Sequence, residues 1–238
     1  MRERYLFLGV LVFSLLAIAV AILVPGRQDH RPELLPWAIT VHEDGTSTAF
    51  GLRLGHSTLG EAEQLFQTEV ELILFQSPQG RRAAEGYFDG ITLSGLAAKL
   101  VVEAALSEAE LQAMFERGVR IATMGDGSRK VTLHPDDSAR LRATAIASLT
   151  YLPRTHLDEA LVEKRFGVPE RKLYEPGGEV VHWLYPERGL DVAISAGGKE
   201  VLQYVAPRDF SRLMAPLLEQ QRGVTLGCVP CLAVGGAG

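Results

Sequence analysis

The first hydrophobic pattern in the chain is a run of twenty residues without a charge, residues 5–24. Twenty helical residues span about 30 Å, which matches the hydrocarbon core of a bilayer, so the run predicts a transmembrane helix. A cleaved secretory signal is the alternative, because Arg2 and Arg4 precede the run and residues 19–21 resemble a cleavage site. The run exceeds the usual signal core of about 7 to 15 residues, which favours a retained anchor.

The charges beside this run do not fix its orientation. Two arginines lie before it and two lie between residues 27 and 31, so the rule that cytoplasmic loops are rich in Lys and Arg gives a tie. The chain has two cysteines, Cys228 and Cys231, and their pairwise spacing suits an oxidising compartment and a disulfide. We therefore predict a single-pass protein of the inner membrane, with the bulk of the chain in the periplasm.

After a proline-rich linker, residues 25–36, the chain consists of short alternating stretches separated by turns, which predict a first α+β unit over residues 37–144. Asp44-Gly45 favours a tight hairpin, because Gly and Asp tolerate the positive φ angles of such turns. A second hairpin is predicted around residues 125–127. Two Ser/Thr-x-x-Glu spacings predict helix starts: Ser57 or Thr58 with Glu61, and Ser107 with Glu110.

A similar pattern returns over residues 145–221, which we interpret as a second unit. Leu152 to Ala160 aligns with Leu54 to Ala62 and keeps Leu, Leu, Glu and Ala, which suggests a tandem repeat. Turns of hairpin length then separate four strands, an amphipathic helix closes the unit, and residues 222–238 form a flexible tail. The predicted fold class is α+β: an N-terminal transmembrane helix followed by two helix-plus-antiparallel-sheet units.

In the second unit, a helix that begins at a threonine ends in Gly-x-Pro and is followed by a sheet with an aromatic second strand. On these features residues 152–206 resemble the BamE-like, or SmpA/OmlA, family of small envelope domains. The resemblance implies a place in the bacterial envelope as an assembly factor, and a duplicated unit would resemble β-lactamase inhibitory proteins. The usual glycine before the helix is Pro153 here. The matching residues are Thr155, Leu157, Val162, Phe166, Gly167, Pro169, Trp183 and Tyr185.

Charge and composition exclude several classes of function. The formal net charge is −5 and the basic residues are scattered among acidic ones, so no nucleic-acid partner is predicted. The six histidines show no spacing typical of a metal site, and no cofactor motif is present, so we predict neither a metal nor a cofactor.

Two motifs offer an enzymatic alternative. Gly55-His56-Ser57 resembles the nucleophile elbow of a hydrolase, but Leu59 takes the place of the second glycine, and that fold needs a parallel sheet. Cys228-Val-Pro-Cys231 has the form of a redox dithiol, but too few residues follow it to build the helix that activates the first thiol. We interpret Ser57 as part of a helix start, and the cysteines as a disulfide or inert thiols.

The sequence thus predicts a membrane-anchored, non-catalytic binding or assembly module, with a hydrolase or a thiol-redox protein as the alternative. One partner is the lipid bilayer, through residues 5–24, and the other is another envelope protein. Such a protein would be held by aromatic side chains on the face of the sheet that the helices leave free. The predicted contact surface consists of Tyr87, Phe88, His182, Trp183 and Tyr185.

Overall fold

Antiparallel β-strands make up most of the fold in the computed structural model, which describes residues 31–195 and 197–221. The predicted α+β class is therefore wrong: one ten-stranded sheet and one three-stranded sheet dominate, and the five described helices are short. The strands are β1 Thr40–Val41, β2 Ser47–Ala49, β3 Leu52–Arg53, β4 Glu71–Gln76, β5 Arg82–Leu93, β6 Leu96–Ala104, β7 Arg120–Thr123, β8 Arg129–Thr132, β9 Ile146–Pro153, β10 Arg171–Tyr174, β11 Val180–Tyr185, β12 Leu190–Ser195 and β13 Val201–Val205.

Each described helix is only two to three turns long. The helices are α1 Leu59–Phe66, α2 Glu108–Glu116, α3 Pro135–Arg142, α4 Glu159–Phe166 and α5 Ser211–Gln221, and three short 3₁₀ segments lie at Pro32–Leu34, Pro186–Arg188 and Pro207–Asp209.

Local capping chemistry sets the starts of these helices. The capping boxes of Thr58 with Glu61 and of Ser107 with Glu110 are both formed, as the sequence predicts. Helix α4 begins instead at Asp158, whose side chain accepts the amide of Leu161 at 2.7 Å, and not at Thr155.

Strand β9 lies in the middle of the large sheet and joins its two ends. The strand order is β10-β11-β12-β13-β9-β6-β5-β4-β8-β7, so β9 pairs with β13 on one side and with β6 on the other. All described strand pairings are antiparallel, which agrees with the short turns. The two predicted units, residues 37–144 and 145–221, contribute strands to the same large sheet.

One face of the large sheet, which we call the inner face, packs against α1 to α4 and the small sheet. The main core contains Phe50, Phe88, Tyr151, Trp183 and Tyr204, all with at most 1% of their surface exposed. Burying so much aromatic surface is the main source of stability for a fold of this kind.

The core also reaches into the predicted linker. Leu34 is buried, and the hydroxyl of Tyr204 donates to the carbonyl of Pro36 at 2.9 Å, so residues 32–36 pack with the sheet.

The structure does not support a transmembrane helix. Within residues 31–195 and 197–221, no helix is long and apolar enough to cross a bilayer. The longest of them, α5, has 11 residues and spans about 16 Å, roughly half of a hydrocarbon core. The predicted run 5–24 lies outside the described residues. The predicted single-pass localisation in the inner membrane is corrected, because the described helices give it no support.

Candidate functional site

The outer face of the large sheet, opposite the core, has two halves that differ in their cover. Over β10 to β13, helix α5 and the residue before it form a second, smaller apolar cluster with the sheet, and we call this the covered half. Leu184 and Val205 supply the sheet side of that cluster, and Phe210 and Leu217 supply the helix side. We call the outer face of β4, β5, β6 and β9 the open half.

Strand register determines which side chains meet on the open half. In an antiparallel sheet, directly opposed residues project to the same face. The pairs Glu71 with Tyr87, Tyr87 with Val101, and Val101 with Thr150 form one continuous row across four strands. The next row runs from Ile73 through Glu85 and Glu103 to Ser148.

These rows enclose a groove with an apolar floor, which we call the open groove. It is a cavity of about 240 Å³. Ile73 and Val101 are buried at its base, with 5% and 7% of their surface exposed. Phe75 and Tyr87 contact each other edge to face, with ring centroids 6.0 Å apart. The apolar side chains that line the groove are Ile73, Phe75, Tyr87, Val101 and Leu152.

Charged pairs form the rim of the groove. Lys130 lies 3.1 Å from Glu71, and Lys99 lies 3.4 Å from Asp89. Asp89 alternates with Phe88 and therefore projects toward this rim, and a β-bulge between Phe88 and Ile91 keeps both of these apolar side chains in the core. Because each lysine is paired with a carboxylate, the rim has little net charge of its own.

A pair of acidic side chains lies next to the groove, with Glu85 buried and Glu103 partly exposed. Glu85 and Glu103 are direct neighbours across β5 and β6, and the hydroxyl of Tyr87 donates a hydrogen bond to Glu85. Burial, supported by the negative charge of Glu103 and opposed by the Tyr87 hydrogen bond, raises the pKa of Glu85 to about 7. Burial and the carboxylate of Glu85 also raise the pKa of Tyr87, so its phenol remains a donor.

Glu103 connects the open half to the covered half. Its carboxylate accepts a hydrogen bond from the Ser148 hydroxyl at 2.7 Å and one from the guanidinium of Arg212 at 3.1 Å. Arg212 belongs to α5, so the helix that covers one half also places a cation at the boundary of the other.

Two of the five predicted contact residues, Tyr87 and Phe88, border the groove, but only Tyr87 directs its side chain to that face. Phe88 projects to the opposite face and is fully buried, because successive side chains of a strand alternate. Trp183 and Tyr185 share the inner face and are buried there, and the ammonium of Lys172 lies 3.6 Å from the centre of the Trp183 ring. The predicted contact surface is therefore corrected, because Phe88, Trp183 and Tyr185 are buried on the inner face.

His182, the fifth of these residues, is held in a buried polar cluster. Its Nδ1 lies 2.8 Å from Asp191 Oδ2, and its Nε2 lies 3.1 Å from Glu175 Oε1. Burial raises the pKa of Asp191. Burial alone would lower the pKa of His182, but the hydrogen bonds to Asp191 and Glu175 raise it overall. These contacts keep His182 in place between two carboxyl groups and away from the surface.

The Ser57 motif has a structural role in the described chain. The Ser57 hydroxyl accepts the amide of Arg53 at 3.1 Å, and its carbonyl accepts the amide of Ile146 at 2.8 Å. The neighbouring Thr58 is the cap of α1. The sheet around Ser57 is antiparallel, unlike the parallel sheet that carries a nucleophile elbow. The predicted disulfide, Cys228 with Cys231, lies outside the described residues.

No group of three His, Cys, Asp or Glu side chains suited to a metal ion occurs in the described part of the chain. Comparison with protein-family models, curated proteins and solved structures found no match. The resemblance to BamE-like domains therefore stays a prediction.

Sequence reasoning missed most of the groove. Ile73, Phe75, Val101 and Leu152 come from three strands that are distant in the sequence, and only the register brings them together. One signal was available: Glu85 and Tyr87 alternate with Gly86 and Phe88, which identifies two faces of β5 without saying which is outward.

Proposed function

We propose that this chain is a non-catalytic binding protein that holds a partner protein in the open groove. The observation that carries the proposal is an apolar groove on a sheet face whose other half is already covered by an amphipathic helix. Within the described residues, α5 packs on the covered half and leaves Ile73, Tyr87 and Leu152 lining an open cavity. Apolar grooves with a charged rim are typical of sites where proteins meet.

The size of the groove favours a protein side chain over a small molecule. Pockets for drug-sized ligands usually measure about 300 to 1,000 Å³. The open groove, at about 240 Å³, is below that range and suits one or two large side chains of a partner. Anchoring by a few such side chains is the usual way in which protein interfaces gain affinity.

The covered half indicates the form of the partner. There, the outer face accepts a helix that presents Leu213, Met214 and Leu217, preceded by Phe210. That spacing is the pattern of a helix bound in a groove. The open half belongs to the same sheet face and has apolar residues in corresponding rows, so the partner segment is an amphipathic helix with an apolar stripe.

Selection with a peptide library tests this proposal. The probe is a phage-displayed library of 18-residue helical peptides with randomised positions along one stripe, selected against the full chain. We expect the enriched peptides to carry large apolar residues on that stripe, and to shift the NMR signals of Ile73, Val101 and Leu152.

Two matched variants make the test specific. Leu152→Arg places a charge at the groove, and we expect it to weaken binding of the selected peptides at least tenfold. Val168→Arg changes a side chain that is 78% exposed and distant from the groove, so binding should be unchanged. Peptides that bind Leu152→Arg as well as the parent chain, or that shift signals away from the groove, would contradict the proposal.

A further inference from the structure

Strand β7 forms one edge of the large sheet and is the most exposed strand in it. It pairs with β8 alone, and all four of its residues are exposed. The segment around β7 contains three of the six large apolar side chains that are exposed in the described chain: Val119, Ile121 and Met124. The concentration of such residues at one sheet edge is unusual, because exposed edges with apolar side chains invite pairing with other chains.

The backbone of β7 is oriented for such pairing. Met124 donates its amide to the carbonyl of Ser128 at 2.8 Å, and the register continues from there along the hairpin. Because hydrogen-bonded and non-hydrogen-bonded pairs alternate in an antiparallel ladder, Arg120 and Ala122 bond to β8. Ile121 and Thr123 therefore direct their amides and carbonyls away from β8, toward the open edge.

The opposite edge of the sheet, β10, is different. Its sequence begins with Arg171 and Lys172, and Lys172 contacts both Glu159 and the ring of Trp183. Leu173 of the same strand packs against the α5 cluster. Charged and covered edges are the usual protection of natural sheets against further pairing. Although Tyr174 of β10 is exposed, its neighbours Arg171, Lys172 and Leu173 protect this edge more than the residues of β7 protect theirs.

One cation on the β7 edge is free to meet a partner. Arg117 pairs with Asp137 at 2.6 Å, and Lys130 pairs with Glu71 at 3.1 Å. The side chains of Arg120 and Arg129, by contrast, form no ion pair or hydrogen bond with any other described residue, and both are exposed. Arg120 lies on β7 itself, so a carboxylate directly opposite it on an added strand would pair with it. Arg129 lies on β8 and projects to the other face, with Thr123 and Ile121.

We propose that β7 binds an extended, acidic segment of a partner protein, which adds to the sheet as a further antiparallel strand. This inference goes beyond the open groove, because β7 is a separate surface with a different mode of recognition. The backbone groups of Ile121 and Thr123 hold the segment. Val119 and Ile121 contact its apolar side chains, and Arg120, on the other face of β7, selects for negative charge.

Charge argues against other occupants of this edge. Residues 222–238 of the chain contain no acidic side chain, so they do not complement Arg120. A second copy pairing through its own β7 would bring the two unpaired Arg120 side chains onto neighbouring strands, where like charges are unfavourable. An acidic segment from another protein fits both the apolar and the basic positions.

Binding of a designed strand peptide tests the proposal. The probe is the acetylated, amidated peptide Asp-Ile-Glu-Val-Asp-Val-Glu, with a second peptide in which lysine replaces each acidic residue. We expect the full chain to bind the acidic peptide at least tenfold more tightly than the basic one. At saturation, hydrogen exchange of the Ile121 and Thr123 amides should slow at least tenfold, because these two amides become bonded in the new ladder.

Three variants separate the contributions of charge and backbone. Arg120→Glu should reverse the preference and favour the basic peptide. Ile121→Pro should weaken binding of the acidic peptide at least tenfold, because it removes an outward amide at an edge where proline is tolerated. Arg171→Glu at the β10 edge should bind the acidic peptide like the parent chain.

Several outcomes would overturn the proposal. One is a Kd for the acidic peptide weaker than about 1 mM, which is the limit of a meaningful interaction for such a short segment. Another is equal binding of the two peptides. A third is binding that leaves exchange at Ile121 and Thr123 unchanged, since a peptide held elsewhere would not protect them.

Discussion

The covered half and the open half of the outer face differ in what lies over them, yet their floors are almost equally buried. Leu184 and Val205, in the α5 cluster, have 0% and 1% of their surface exposed. Ile73 and Val101, in the open groove, have 5% and 7%. Neighbouring side chains such as Phe75 and Tyr87 therefore shield the floor of the open groove from solvent nearly as well as helix α5 shields the floor of the covered half.

This difference separates stability from binding. The covered half gains stability by burying Phe210 and Leu217 permanently against the sheet. The open half hides most of its apolar floor without a helix, so the fold stays intact when the groove is empty. A groove of this kind can take up and release a partner without unfolding, which suits a binding protein.

Removal of an aromatic side chain from each half tests this separation and has the largest expected effect. Phe210→Ala should lower the free energy of unfolding by about 3 kcal/mol, because it leaves a cavity in the α5 cluster. Phe75→Ala, in the groove, should lower it by about 1 kcal/mol, because Phe75 is only partly buried. Urea denaturation at constant pH measures both values.

The two variants form a matched pair, since the same atoms are removed from two places on one face. Equal losses of stability would show that the groove is as essential to folding as the α5 cluster. In that case the distinction between the two halves would not hold.

A second prediction concerns Glu85, the buried acid beside the groove. Its pKa is raised from 4.5 to about 7 in the folded chain, so folding takes up a proton between these values. The contribution of Glu85 to the free energy of unfolding should be greatest below pH 4.5. Up to about 3 kcal/mol of it should be lost as the pH rises through 7. Glu85→Gln should remove this pH dependence.

The sign of the effect distinguishes Glu85 from an ordinary carboxylate. An acid whose pKa is lowered by folding would make the chain more stable as the pH rises, and Glu85 does the opposite. Glu71→Gln is the control, because Glu71 lies at the rim with an exposed side chain. This variant should keep the decrease in unfolding free energy with rising pH. A parent chain whose unfolding free energy does not fall between pH 5 and pH 8 would contradict the prediction.

Local chemistry explains which parts of the fold the sequence predicts correctly. The capping boxes at Thr58 and Ser107 and the hairpin at Asp44-Gly45 each depend on residues within four positions of one another. The meander from β10 to β13 likewise follows from turns of hairpin length. Such features need no knowledge of distant parts of the chain.

Strand β9 shows why the single large sheet is harder to predict than its parts. Leu149 and Tyr151 are buried on one face and alternate with Thr150, so the strand pattern is present in the sequence. The likeness of residues 152–160 to residues 54–62 instead predicts a helix start directly after Leu152. Without β9 the two units remain separate, because it alone pairs with both β6 and β13.

The candidate site was only partly predictable for a related reason. Alternation assigns Tyr87 and Phe88 to opposite faces, but which face is outward depends on α1. That helix approaches β5 at Gly86, where a Cβ atom would lie only 3.0 Å from Leu59 and 2.7 Å from Val70. Long-range packing of this kind has no signature within a short stretch of sequence.

The smallest expected effect comes from Arg212, which connects the two halves. The ion pair of Arg212 with Glu103 is partly exposed, so Arg212→Ala should change the free energy of unfolding by no more than about 1 kcal/mol. The pKa of Glu85 should nevertheless rise above about 7, because the negative charge of Glu103 loses its compensating cation. Carboxyl NMR titration of Glu85 measures this shift, and Arg212→Lys should largely restore the parent value.

Arg171→Ala, on the exposed β10 edge, is the control and should leave the titration of Glu85 unchanged. An unchanged or lower pKa of Glu85 in Arg212→Ala would mean that α5 does not influence the open half, and the two halves would then be independent surfaces.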